Sequence, residues 1–274
     1  MQEFKFKKKF GQNFITDTNL IKKIISYANI TDNDLVVEVG PGQGALTSEI
    51  LSKAKYCLIY EIDSDLEFYL NEKFSNFNNY DLKFIDFLEA DINNDIKNIC
   101  YDRLLFISNL PYYITTPIIK KVVDSNLFDT VLIMVQDEVA NRFCASVNSK
   151  DYGSLTVYLN AYYKVNKLFK VNRKLFNPSP KVDSAVVLLE KKKDVNIKDF
   201  NLFNKLVKDS FQFKRKTLKN NLKNYDLNLI EGILNKYNLS IQNRAEDINV
   251  DIYIEIANNL EMWFSYFFFL FIYI

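Results

Sequence analysis

Four consecutive residues, Asn109, Leu110, Pro111 and Tyr112, follow directly on the apolar run "RLLFIS". A proline cannot donate to a strand ladder, so the run stops there, and Asn and Pro are ordinary turn residues. The same four suit a flat ring that carries an exocyclic amine. The Asn109 amide oxygen and the Leu110 carbonyl can accept the two amine hydrogens. That draws the nitrogen toward tetrahedral geometry and aims its lone pair at a methyl group. Pro111 restricts Leu110 to extended backbone, which presets the carbonyl. Tyr112 offers a stacking face worth about 1–3 kcal/mol per base. Such a transfer depends on positioning more than on a strong base. The chain contains no histidine, which excludes Ser-His-Asp and Cys-His chemistry.

A second group precedes it. "VVEVGPGQGALT" places Gly40, Gly42 and Gly44 between an apolar run and a helical pattern, where missing side chains let a ligand approach the backbone. Nicotinamide, flavin and S-adenosylmethionine proteins all use variants of such a loop. Here the spacing is GxGxG, and Glu38 stands just ahead of it. That carboxylate is odd beside a pyrophosphate but reasonable beside an amino group and a sulfonium. Glu61 lies 21 positions after Gly40, where an acid binds a ribose diol. Asp91 ends the next apolar stretch, "LKFIDFLEAD", where a carboxylate can read an adenine edge or simply cap a helix. Three acids at successive strand ends favour an adenosine ligand.

To hold these residues in one crevice the chain needs a parallel sheet. Strand-like runs at 34–40, 56–63, 82–91, 103–110 and 130–136 alternate with helical patterns, the signature of a doubly wound α/β fold. "YLNAYYKVNKLFKV" and "SAVVLLEK" are expected to end the sheet antiparallel, with no helix between them. From about residue 195 only helical patterns remain, after the linker "EKKKDVNIKD". The expected division is residues 1–190, residues 191–261, and an apolar tail at 262–274. Thirteen residues fall short of the roughly 18–20 that cross a bilayer, so no stable membrane association is expected.

Net charge is only +1, but it is unevenly spread: residues 32–138 hold 8 basic and 19 acidic groups, and residues 139–193 hold 11 and 3. Residues 205–223 carry seven basic groups against Asp209 alone. This pattern suits a polyanion gripped at the edges of an acidic module, although lysine-rich faces are often merely solvated. Cys57, Cys100 and Cys144 are widely spaced without a CxxC, which argues for a reducing, cytoplasmic setting and against disulfides or a zinc site. "MQEFKFKKKF" has no apolar core like that of a signal peptide.

With "FGQNF", "EVGPGQGALT", "NLPY", "FNPSPKVDSAV" and "FQFKRKTLKNNL" in this order, the chain resembles the KsgA/RsmA family from about residue 6 to 260. These are S-adenosylmethionine-dependent adenine N6,N6-dimethyltransferases of small-subunit rRNA. The resemblance implies a Rossmann-like class I methyltransferase domain with a small all-helical C-terminal domain that binds RNA. It implies a monomer without a metal that meets small-subunit rRNA or an immature small subunit, dimethylating two adjacent adenines of a 3'-terminal hairpin loop. Asn13 and Ile15 would contact the cofactor, Gly40 its methionine end, Glu61 its ribose and Asp91 its adenine. Asn109 would lie between cofactor and target, and Tyr112 and Phe176 would sandwich the flipped adenine. Departures are Ile15 for Leu, Ala90 for the Gly before the third acid, Tyr113 for Asn, and Lys214 for Arg. The rival readings are a macrolide-resistance dimethylase of large-subunit rRNA and a non-catalytic assembly factor on the same scaffold.

Overall fold

Apolar runs bounded by glycine, acid or proline become strands buried on both faces. The computed structural model describes residues 14–15 and 17–270, with side chains to residue 260. The chain opens with β1 (Phe14–Ile15), α1 (Thr18–Ser26), β2 (Leu35–Val39), α2 (Ala45–Leu51), β3 (Tyr56–Glu61), α3 (Glu67–Lys73) and β4 (Tyr80–Phe84). It continues with α4 (Ile92–Ile96), β5 (Leu104–Asn109), α5 (Thr115–Asp124), β6 (Thr130–Gln136) and α6 (Asp137–Phe143). After these come α7 (Ser154–Tyr162), β7 (Tyr163–Val171), β8 (Phe176–Asn177) and β9 (Ser184–Lys191). The last helices are α8 (Phe200–Ser210), α9 (Leu218–Asn221), α10 (Leu227–Asn235) and α11 (Val250–Leu270).

Seven strands form one sheet in the order β4-β3-β2-β5-β6-β9-β7. The pairs from β4 to β6 are parallel, and β9 closes onto β6 antiparallel. The expected doubly wound sheet with an antiparallel end is therefore what forms. β2 is buried at every position, and Ile59, Leu105 and Leu132 continue its core across the neighbouring strands.

Asp34 fixes the start of this core. It is 0% exposed and accepts from Arg103 Nη2 at 2.6 Å, Arg103 Nε at 3.0 Å and the Thr31 N–H at 2.7 Å. Burial pushes its carboxyl up, but the bonds from Arg103 and Thr31 outweigh this and leave the pKa below the usual aspartate value. The stability so gained is present above the unfolded-state pKa and is lost as pH falls through the folded one. Asp34→Ala, which removes the acceptor of charge-assisted bonds from Arg103 and of the Thr31 N–H, is expected to cost about 2 kcal/mol by urea unfolding. A loss below about 1 kcal/mol would show that the pair does not organise the strand starts.

The described residues divide into two compact units, those up to residue 140 with 166–191, and 141–165 with those from 192 onward. Residues 141–165 thus join the helical unit, where one boundary near 190 was expected. "YLNAY" completes α7 instead of starting a strand, and β7 begins at Tyr163. Thr156 starts that helix, accepting from the Gly153 N–H at 3.2 Å and donating to the Arg142 carbonyl at 2.6 Å. Tyr162 then packs on Phe200 and Phe203, and the Tyr152 hydroxyl donates to the Ile248 carbonyl at 2.9 Å. Burial on several sides replaces the amphipathic period that would have marked a helix in the sequence. α11 runs on through residue 270, into the apolar tail, and among the described residues no helix is long and apolar enough to cross a membrane.

Candidate active site

Strand order reverses direction between β2 and β5, and ligands of such sheets bind beyond the carboxyl ends of the strands at that point. A cleft of about 1040 Å³, its open mouth included, lies there. Ile15, Glu38, Gly40, Gly42, Glu61, Asn109, Leu110, Pro111 and Tyr112 all line it, as expected from the sequence.

The glycine loop owes its shape to positive φ angles of 68°, 58° and 71° at Gly40, Gly42 and Gly44. A Cβ on Gly42 would stand 2.6 Å from the Phe14 ring, so that residue is required for packing as well as backbone. The Gly40 N–H donates to the Tyr60 carbonyl at 2.8 Å, and the Ser108 hydroxyl to the Val39 carbonyl at 2.6 Å. These bonds join the loop to β3 and β5.

Glu38 is 1% exposed, and its Oε2 has no hydrogen-bond partner among the described residues. Burial raises its pKa to about 8; the Thr47 hydroxyl lowers it, neighbouring Glu61 raises it, and Lys73 offsets little. Glu61 is 5% exposed, accepts from the Asp63 N–H at 2.9 Å, and is also raised, chiefly by burial. Two buried acids facing one cleft, one with an orphaned oxygen, are a site for a cation or for hydroxyl donors. Glu38 holds its proton more tightly folded than unfolded. Its contribution to stability is full below the ordinary glutamate pKa of 4.5 and is lost as pH rises through about 8. Glu38→Gln is expected to flatten the fall in urea midpoint between about pH 5 and 8. An unchanged slope would remove Glu38 as its source.

On the opposite wall, Leu110 donates its N–H to the Met134 carbonyl at 3.2 Å, which carries the β5–β6 ladder one residue further. Among the described residues no donor reaches the Leu110 carbonyl. The Pro111 carbonyl accepts from the Ile114 N–H at 3.2 Å and the Thr115 hydroxyl at 3.1 Å, which turns the chain into α5. Half-buried Tyr112 places its hydroxyl 2.6 Å from that of Ser184, and burial raises its pKa.

Two expected residues are not at the cleft. Glu61 pairs with Phe84, where β4 ends, so Asp91 lies seven residues beyond that strand end. Its carboxylate accepts from the Asn94 N–H at 3.1 Å and caps α4. Asp86, two residues past Phe84, lines the cleft in its place, preceded by Ile85. The continuous apolar text of "LKFIDFLEAD" hid where the strand stopped, and the first acid after it was the usable signal. Phe176 pairs with Ile15 in the two-stranded β1–β8 sheet, and its ring, 5% exposed, belongs to the hydrophobic core. Ile62, Ile85 and Tyr113 line the mouth instead, all more than a third exposed. Asn13 lies outside the described residues.

The profile of the family described as ribosomal RNA adenine dimethylase matches residues 3–262. The chain belongs to this family. Ribosomal RNA small subunit methyltransferase A of Fusobacterium nucleatum subsp. nucleatum is 42% identical over 266 residues, covering 94% of this chain and 99% of that protein. The protein of the same name from Mycoplasma mobile is 42% identical over 250 residues, covering 90% and 95%. Among solved structures, a dimethyladenosine transferase from Plasmodium falciparum superposes with TM-score 0.76 at 26% identity, covering 89% of this chain and 95% of that one. The 23S rRNA methyltransferase ErmE follows with TM-score 0.71 at 26% identity, covering 91% and 100%. This dimethylase family accounts for the fold expected from the sequence, a Rossmann-like methyltransferase with a helical C-terminal part. Fold alone does not separate substrates, since structures of differently named enzymes superpose almost equally well.

Proposed function

We propose that this chain dimethylates the N6 amino group of adenine in small-subunit rRNA, using S-adenosylmethionine, during ribosome biogenesis. What carries the reading is the cleft that joins Glu38, the glycine loop and Glu61 to Asn109-Leu110-Pro111-Tyr112 in a chain 42% identical to small-subunit methyltransferases.

The residues fit the cofactor. Buried Glu38 with its orphaned oxygen would take the cationic amino acid end, Glu61 would accept from ribose hydroxyls, and Asp86 would take the adenine role expected of Asp91. The cofactor supplies an electrophilic methyl group. Opposite it, the Asn109 oxygen and the Leu110 carbonyl accept the two N6 hydrogens of an unstacked adenine, and Tyr112 offers a face to its ring. The N6 proton becomes acidic as the nitrogen gains its fourth bond, so no strong base is required. In the second turnover one methyl already occupies N6, and only one hydrogen remains to be accepted.

The basic segments 164–193 and 205–223 hold rRNA phosphates, so binding weakens steeply with salt. A loop or single-stranded adenine is the accessible target. By family resemblance this is a pair of adjacent adenines in a 3'-terminal hairpin of the immature small subunit.

The test is radiolabelled methyl transfer to small-subunit particles and to large-subunit rRNA, both from cells lacking this protein, followed by nucleoside digestion. N6,N6-dimethyladenosine in the small-subunit sample alone is the expected result. Label in large-subunit RNA alone would move the assignment to the resistance type of dimethylase. Cofactor binding without label in either would favour an assembly factor.

A further inference from the structure

Ser184 is wholly buried at the start of β9, 72 residues from Tyr112, yet the two hydroxyl oxygens lie 2.6 Å apart. Among the described residues, no other side chain hydrogen-bonds the Tyr112 hydroxyl. A tyrosine ring at a cleft wall can swing about its first side-chain torsion, and a hydroxyl anchored at the far end removes that swing.

The anchor itself is held firmly. Ser184 stands opposite Gln136 in the β6–β9 ladder. The residue before it is fixed from three directions: the Asp137 N–H donates to the Asp183 carbonyl at 3.0 Å, the Arg173 N–H to Asp183 Oδ1 at 3.1 Å, and Lys170 Nζ lies 3.0 Å from Oδ2. The preceding loop is braced as well, by Arg173 Nη1 to the Lys181 carbonyl at 2.7 Å and the Ser179 hydroxyl to the Arg173 carbonyl at 2.9 Å. A preorganised aromatic face needs such locked support from residues that never meet the ligand.

We infer that Ser184 is a positioning residue for methyl transfer, holding the Tyr112 ring at the place in the cleft wall where it receives the target base. The inference rests on the proposed adenine site and deepens it. It also gives "PKVDS" a task that differs from direct contact with the base. Lys170, Arg173 and Asp183 hold the serine, the serine holds the tyrosine, and the tyrosine meets the ring.

The experiment is a double-mutant cycle of Ser184→Ala and Tyr112→Phe. Its readouts are kcat and KM for methyl transfer to small-subunit particles, the Kd for S-adenosylhomocysteine and the unfolding midpoint. Each single variant removes the same hydroxyl pair, so each is expected to lower kcat by about tenfold, the scale of one hydrogen bond. The double variant is expected to be no slower than the slower single, because the second change has nothing left to remove. Binding of S-adenosylhomocysteine should stay within about twofold, since the pair is not among the groups assigned to the cofactor.

Multiplying effects in the double variant would overturn the inference. So would a Ser184→Ala protein that loses cofactor affinity and unfolding midpoint together, which marks a packing role. Should Ser184→Ala not fold, Tyr112→Phe alone decides: kcat within about twofold of wild type refutes the anchor. A wild-type protein that labels no small-subunit RNA condemns the function reading instead, whereas an active wild type with indifferent variants condemns only the role of Ser184.

Discussion

Asn109→Ala is expected to slow methyl transfer by about 1000-fold while leaving the Kd for S-adenosylhomocysteine within about threefold. Asn109 ends β5 opposite Met134, with the glycine loop of β2 on the neighbouring strand of the same sheet. In the proposed mechanism its amide oxygen and the Leu110 carbonyl are the pair that accepts the two amine hydrogens, and the backbone member alone would not orient the nitrogen. The part of the cleft proposed to hold the cofactor is built from other elements, β2, β3 and the residues after β4. Single-turnover transfer and calorimetric titration of the same protein separate the two effects. Equal losses in both would mean that Asn109 holds the cofactor and that the amine is oriented elsewhere.

Gly42→Ala is expected to weaken S-adenosylhomocysteine binding by about 100-fold, from backbone strain added to a steric conflict. The φ of 58° is unfavourable for any residue with a Cβ, and that atom would meet the Phe14 ring at 2.6 Å. Relief requires either the ring or the loop to move. The ring belongs to β1, which pairs with β8, so the loop that lines the cleft gives way. Gly153→Ala is the control, because nothing lies within 4 Å of the added atom and φ there is −162°, an extended value. Titration of both variants decides the matter: if Gly42→Ala binds as tightly as Gly153→Ala, the loop is not the ligand cradle.

Much of the site was legible before any coordinates, for a physical reason. Gly40, Gly42, Glu38 and Glu61 line the cleft within a few residues of a strand end, and alternation of strands with helices places such ends along one edge. Asn109 to Tyr112 were legible in the same way, because proline and an amide interrupt an apolar strand. Asp91 was misplaced because hydrophobicity continues past Phe84, and only the pairing of Glu61 with Phe84 shows where β4 stops. Phe176 was misplaced because an aromatic beside prolines reads alike whether it faces a cleft or a core. Its pairing with Ile15 buries it.

The sequence by itself determined the local chemistry: the glycine loop, the acid after the second strand, the amide-proline turn and the absence of imidazole. It also determined the parallel sheet, because hydrophobic period and loop chemistry act over neighbouring residues. Only the tertiary structure decided that residues 141–165 join the helical unit, that Asp86 rather than Asp91 reaches the cleft, and that Ser184 grips Tyr112. Each of those depends on strand register or packing between residues far apart in the chain, which no local pattern encodes.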